Sequence, residues 1–145
     1  MSLPESQLLP VCHAGLNDLQ KQLLDDTPYA HFLGLAISRS DEGSVCYQLH
    51  FREQHIGNPL LRTFHGGILA SFGEIVAALH VLESVDLEQE PSCSSMTFDY
   101  LRPAFAGTIR AVPRIVREGK RFIVVSVGIF LNETSVSIGR FIYTR

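Results

Sequence analysis

What the chain has little of narrows its reading first. Cysteine occurs only three times, at Cys12, Cys46 and Cys93, an odd number at wide spacing. Neither a disulfide framework nor a CxxC zinc site is signalled, no metal is expected, and a reducing cytoplasmic compartment fits. Positive charge is not in excess: 12 Lys and Arg stand against 15 Asp and Glu, for a net charge of -3. That removes any general electrostatic reason to bind nucleic acid. The stretch MSLPESQLLP lacks the basic n-region and long apolar h-region of a secretory signal. Without such a signal, Asn132-Glu133-Thr134, which matches a glycosylation acceptor, reads better as a hairpin turn. There are no internal repeats, low-complexity tracts or linkers. These absences leave one globular domain over residues 1–145, with residues 1–27 as an N-terminal helical extension. A composition of 46% hydrophobic and 19% charged residues suits such a core.

The sharpest local absence is of charge. Between Gly66 and Leu82 only Glu74 carries a full charge. The run approaches the length of a membrane span. It opens on two glycines, however, has Gly73 and Glu74 at its centre, and is followed by Glu83 and Asp86. A buried helix of a soluble domain, over about 66–83, is expected, with no membrane partner. A buried unpaired carboxylate is costly. Glu74 therefore either faces solvent or is kept because it works.

The rest of the chain divides by periodicity. Residues 14–26 place Leu16, Leu19, Leu23 and Leu24 on one helical face, and Thr27-Pro28 ends that helix. Residues 29–34 read as a loop before a strand at Leu35–Ser40. Asp41-Glu42-Gly43 is a turn, and Ser44–Phe51 alternates as a half-buried strand. Residues 52–64 form a loop containing Gly57, Asn58 and Pro59. After the apolar helix and a polar connection over 84–93, the chain is strand material. Met96, Phe98 and Tyr100 share one face of the first strand. Pro113 implies an edge position or a bulge in the next. Gly119-Lys120 and Asn132-Glu133 mark the remaining turns. The pattern predicts an α+β fold: one antiparallel sheet, ending in a meander, curled around a long apolar helix, with a short N-terminal helix.

Three features carry a family resemblance. "HGG" opens the apolar helix, an acid stands nine residues after its His, and "DYLRPAFAG" follows on the next strand, with "GNP" upstream. Together they resemble the PaaI-like branch of the hotdog-fold acyl-CoA thioesterases, over about residues 28 to 145. The resemblance implies a hotdog fold and a homodimer or dimer of dimers with sites at the subunit interface. It also implies hydrolysis of a fatty-acyl or aryl thioester of coenzyme A, with no cofactor beyond the CoA of the substrate.

Such chemistry needs an oxyanion stabiliser and a base or nucleophile. N–H groups at a helix N-terminus are preorganised donors, and Gly66 and Gly67 lack the Cβ that would keep a substrate away. The resemblance assigns the oxyanion donor to Gly66 and the catalytic carboxylate to Glu74, at a position where some relatives have Asp and some Glu. It further implies that Glu74 meets the Gly66 amide of the other subunit. Asn58 is the candidate for placing water or binding the carbonyl. The family's loop amide stands one residue later, where this chain has Pro59, and a turn-forming role for Asn58 is the alternative. His65 is expected to bond the loop and fix the start of the helix. Arg117, Lys120 and Arg121 cluster at one hairpin turn and could hold CoA phosphates; a solvated face is the ordinary alternative. Two other functions remain open. One is a non-catalytic acyl-CoA binding module. The other is a hotdog dehydratase or hydratase, for which "HIGNP" at His55 would supply the loop histidine.

Overall fold

The structure, a computed structural model, describes residues 15–145. Cys12, Ala14 and the MSLPESQLLP stretch lie outside the described residues. Helix α1 spans Asp18–Asp26. Asn17 starts it reciprocally: its Oδ1 accepts from the Gln20 N–H, and Gln20 Oε1 accepts from the Asn17 N–H, both at 2.9 Å. The same two side chains dock the helix. Asn17 Nδ2 donates to the Leu82 carbonyl and Gln20 Nε2 to that of Leu79, while Leu23 and Leu24 are buried.

The loop expected over 29–34 is instead a second short helix, α2, at Pro28–Leu33. Pro28 presets φ at its first turn, and Gly34, with φ at 74°, closes it in the left-handed region. Six residues are too few for a helical period to show in the sequence. The expected 52–64 loop also contains local structure. A 3-10 turn at Glu53–His55 leads into a small hairpin of β3 (Ile56–Asn58) and β4 (Thr63–Phe64). Buried His55 organises it. Its Nδ1 accepts from the Arg52 N–H at 3.1 Å, and its ring stacks on Phe64 with centroids 5.8 Å apart.

The main sheet contains β1 (Leu35–Arg39), β2 (Val45–His50), β5 (Ser92–Tyr100), β6 (Thr108–Glu118), β7 (Phe122–Leu131) and β8 (Thr134–Thr144). All neighbours are antiparallel, in the order β1-β2-β6-β7-β8-β5. The meander expected at the end of the chain covers β6 to β8. The first strand after the long helix does not adjoin it in order: β5 pairs with β8 and forms the far edge. Pro113 lies in an interior strand, yet the β2–β6 ladder stops at Tyr47 opposite Ala111. Beyond that point β6 has only β7 beside it, so the proline sits at a local edge, and a bulge follows between Ile115 and Arg117. Asn132, with φ at 54°, turns β7 into β8.

Helix α3, Gly66–Ser84, lies across the concave face of this sheet. By length and composition it could cross a membrane; 56% of that span is buried within the domain. It has no continuous polar face, so it must be enclosed rather than laid on a surface. Alternate residues Ile123, Val125, Val127 and Ile129 of β7, all at 0% exposure, form the floor beneath it. Two glycines permit the close approach. A Cβ on Gly73 would stand 3.0 Å from the Phe141 ring, and one on Gly139 would stand 2.6 Å from Phe141 and 2.7 Å from Phe98. The enclosure is open at one side: Met96 and Tyr100 of the edge strand β5 remain 41% and 56% exposed.

Gly139→Ala should therefore overpack the layer between sheet and helix and cost about 1–3 kcal/mol. Ile138→Ala, on the opposite and partly exposed face, should cost less. Urea midpoints of the two variants against the wild type measure the difference.

Candidate functional site

The site is built at the first turn of α3. A helix leaves its first four N–H groups without intrahelical partners. Here the Leu69 N–H reaches the His65 carbonyl at 3.2 Å, and the Ile68 N–H shares it at 2.9 Å. The Gly67 N–H donates to His65 Nδ1 at 2.9 Å, so His65 is the N-cap. The His65 N–H is fixed in turn by the His55 carbonyl at 2.7 Å. Only the Gly66 N–H has no partner among the described residues. The sequence singled out both glycines; the geometry separates them, because the Gly67 amide is engaged and the Gly66 amide is open. The Gly66 carbonyl, on the far side of that residue, accepts from the Tyr100 hydroxyl at 2.8 Å. One turn on, Ser71 Oγ donates back to the Gly67 carbonyl at 2.7 Å.

Glu74 lies eight residues beyond Gly66, roughly 12 Å along the helix axis. Its side chain is half-buried, and its carboxylate has no hydrogen bond or ion pair among the described residues. Two groups feel its charge. Burial first, then Glu74, pushes the Cys93 thiol up. Burial, Cys93 and Glu74, in that order, hold the Tyr143 phenol well above its ordinary range. The Tyr143 hydroxyl donates to the Glu74 backbone carbonyl at 2.5 Å. The Glu74 carboxylate is thus flanked by a neutral thiol and a neutral phenol, and no cation among the described residues compensates it.

Asn58 is exposed, on the loop that precedes the helix. Its Oδ1 accepts from the Leu60 and Leu61 N–H groups at 3.0 and 3.2 Å, which is the turn-forming use of asparagine. Its Nδ2 is free of protein partners among the described residues. Arg117, Lys120 and Arg121 line a cavity of about 890 Å³ with an apolar floor of Phe122, Val124 and Ile142. The strand register puts that floor on the sheet face opposite α3. Its walls include neither Gly66 nor Glu74. The structure therefore brings His65, Gly66 and Gly67 together, sets Glu74 two turns away, and leaves the basic hairpin separate.

Phe98 lies between sheet and helix. Phe72 is fully buried and Phe105 half-exposed. His80 is half-buried, and burial lowers its pKa. No group of three or more His, Cys, Asp or Glu side chains among the described residues could hold a metal. Three residues near the site escaped the sequence reading: Tyr100, Tyr143 and Cys93. Each acts across a long sequence separation, and only the alternation of Met96, Phe98 and Tyr100 hinted at one of them.

Comparison with known proteins agrees with this architecture. The family model of the Thioesterase superfamily matches residues 61–138, and the chain belongs to that superfamily. Its fold is the hotdog. The E. coli PaaI protein, from the phenylacetic acid degradation operon, is 26% identical, with a TM-score of 0.70 over 87% of this chain and 95% of that one. A Bacillus halodurans protein solved with CoA is 22% identical, with a TM-score of 0.74 over 91% and 96% of the two chains. A Saccharolobus solfataricus relative named as a candidate esterase is 24% identical over 75% of this chain and 71% of its own.

The histidine that supports the helix start makes stability depend on pH. Burial first, then the Arg52 charge, lowers the His55 pKa from its ordinary 6.5; nearby carbonyls of Leu33 and Phe32 oppose this only in part. The unfolded chain therefore takes up the proton first as pH falls. This stabilisation is full above about pH 6.5 and is lost as pH drops towards the depressed folded value. His55→Gln should be less stable throughout, yet show a shallower loss between about pH 7 and pH 5. Denaturant midpoints across that range measure the slope.

Proposed function

We propose that the protein is a cytoplasmic acyl-CoA thioesterase that hydrolyses a fatty-acyl or aryl thioester of coenzyme A, with no cofactor beyond the CoA of its substrate. One observation carries the reading. A single apolar helix offers an open N–H at its first residue and an uncompensated carboxylate at its middle. These are the electrophilic and the basic halves of an acyl-transfer site.

The two halves stand roughly 12 Å apart along one helix, too far to meet on one carbonyl. Two subunits placed with their α3 helices antiparallel supply one of each per site. The unpaired edge of β5, with Met96 and Tyr100 exposed beside it, supports that assembly. The proposal is therefore a homodimer, or a dimer of such dimers, with two shared sites per pair. At each site the Gly66 N–H receives the thioester oxygen as it gains negative charge. The Glu74 carboxylate of the other subunit removes a proton from water as the water oxygen bonds to the carbonyl carbon. The C–S bond then breaks, the proton passes to the leaving thiolate, and a carboxylic acid and CoA thiol are released. A direct attack by the carboxylate, forming an anhydride that water opens, uses the same residues. Single-turnover hydrolysis in ¹⁸O-water separates the routes, since only the anhydride can put label into Glu74. Asn58 Nδ2 is the proposed donor that holds the water or carbonyl, and His65 holds the helix start in place. The Arg117, Lys120 and Arg121 hairpin is proposed to hold the CoA phosphates. The Bacillus halodurans relative, solved with CoA, supports that choice of carrier. Burial of His55, with its Nδ1 on the Arg52 N–H, weighs against the dehydratase reading.

Glu74→Gln keeps the volume and removes both the base and a half-buried charge. Stability should hold or rise, while turnover should fall by about 10²–10⁴. Thermal melts and hydrolysis of aryl, short-chain and long-chain acyl-CoAs on one preparation measure both. A variant that melts early yet turns over at the wild-type rate would assign Glu74 to the fold. Binding of acyl-CoA without turnover in the wild type would make the domain a binding module.

The shared site also predicts its own assembly. Light scattering at micromolar concentration should report at least a dimer. A stable, active monomer would overturn the model of two halves from two subunits.

A further inference from the structure

We propose that Tyr100 is a positioning residue that holds the Gly66 amide in register for the reaction; this rests on the thioester hydrolysis proposed above. Two independent contacts point to it. The Tyr100 hydroxyl donates to the Gly66 carbonyl at 2.8 Å, across 34 residues of sequence. Its ring also covers Gly66: a Cβ there would stand 3.1 Å from each of Cε1, Cζ and Oη. Tyr100 is 56% exposed, so burial does not explain why its hydroxyl points inward rather than into water.

The contacts matter because of what they restrain. Two consecutive glycines at a helix start give the backbone little intrinsic constraint. The peptide that joins Gly66 to Gly67 is gripped at both ends. Its carbonyl is held by Tyr100 from β5, and its N–H is held by His65 Nδ1. With that peptide fixed, the preceding one, which carries the open Gly66 N–H, keeps its direction. An oxyanion donor is effective only when it is aimed before the charge develops. Phe98 backs the Tyr100 ring with centroids 5.0 Å apart, so the tether starts from a braced position. β5 is the edge strand proposed to pair with the second subunit, so the same strand would align the amide and form the interface.

Tyr100→Phe tests this, because it keeps the ring over Gly66 and removes only the tether. Amide hydrogen exchange at Gly67 should quicken by about fivefold or more. kcat should fall by about 5–50-fold, with KM little changed and the same factor for aryl and alkyl thioesters, since the carbonyl is common to all. The melting temperature should move little. Gly67 exchange at the wild-type rate would overturn the tether, whatever the activity. Faster exchange with unchanged kcat would overturn its role in the reaction. A kcat loss confined to one acyl class would make the residue a pocket wall instead. If the wild type hydrolyses no thioester while Glu74→Gln is equally inert, the thioesterase reading falls, and with it the role of the tether in that reaction.

Discussion

The structure depends on enclosing a helix that has no polar face. α3 is apolar on nearly every side, and one sheet can cover only part of a cylinder. The remaining features answer that shortfall. The sheet curls so that β6, β7 and β8 floor the helix. Gly73 and Gly139 let the two layers close over the Phe98 and Phe141 rings. α1 is docked over the C-terminal half of the helix through Asn17 and Gln20, which engage its carbonyls at Leu82 and Leu79. What stays open is the β5 side, and there the helix carries Glu74, the one charge between Gly66 and Leu82. The unfinished part of the enclosure and the proposed chemical part of the helix therefore coincide.

Much of this was legible in the sequence. The apolar run around Glu74 marked α3, the alternation of Val45, Tyr47 and Leu49 marked β2, and the HGG string marked the start of the long helix. These signals are local or strictly periodic, which is what a single sequence can show. The parts that were not legible are short or distant. α2 has six residues, less than two full turns, so no period could declare it. The position of β5 beside β8 depends on a long-range pairing with no sequence code. Pro113 gave the right constraint in an unexpected form, as a local edge within an interior strand where β2 ends. Within the site, residue type alone suits both Gly66 and Gly67, and it was the family resemblance that assigned the donor to Gly66. Hydrogen-bond geometry adds the physical distinction between the amide that His65 engages and the one it leaves open.

The neighbours of Glu74 illustrate the same limit. Nothing in the sequence connects residue 74 to Cys93 or Tyr143, yet the fold sets both close enough for the carboxylate to help push their pKa values up. Burial and the carboxylate act together to keep both the thiol and the phenol protonated. Neither therefore competes with the carboxylate as an anion.

The capping of α3 by His65 has a consequence for selectivity among oxygens. A helix start with several open N–H groups is a general anion trap and would grip a phosphate or a free carboxylate strongly. Here three of the first four amides are already engaged, and a single donor faces outward. One donor suits one oxygen that gains charge only briefly, whereas a carboxylate carries its charge on two oxygens and is best held by two donors. Under the proposed chemistry such a helix start would hold the product acid weakly, and its economy of open amides would favour clearance of the site after each turnover.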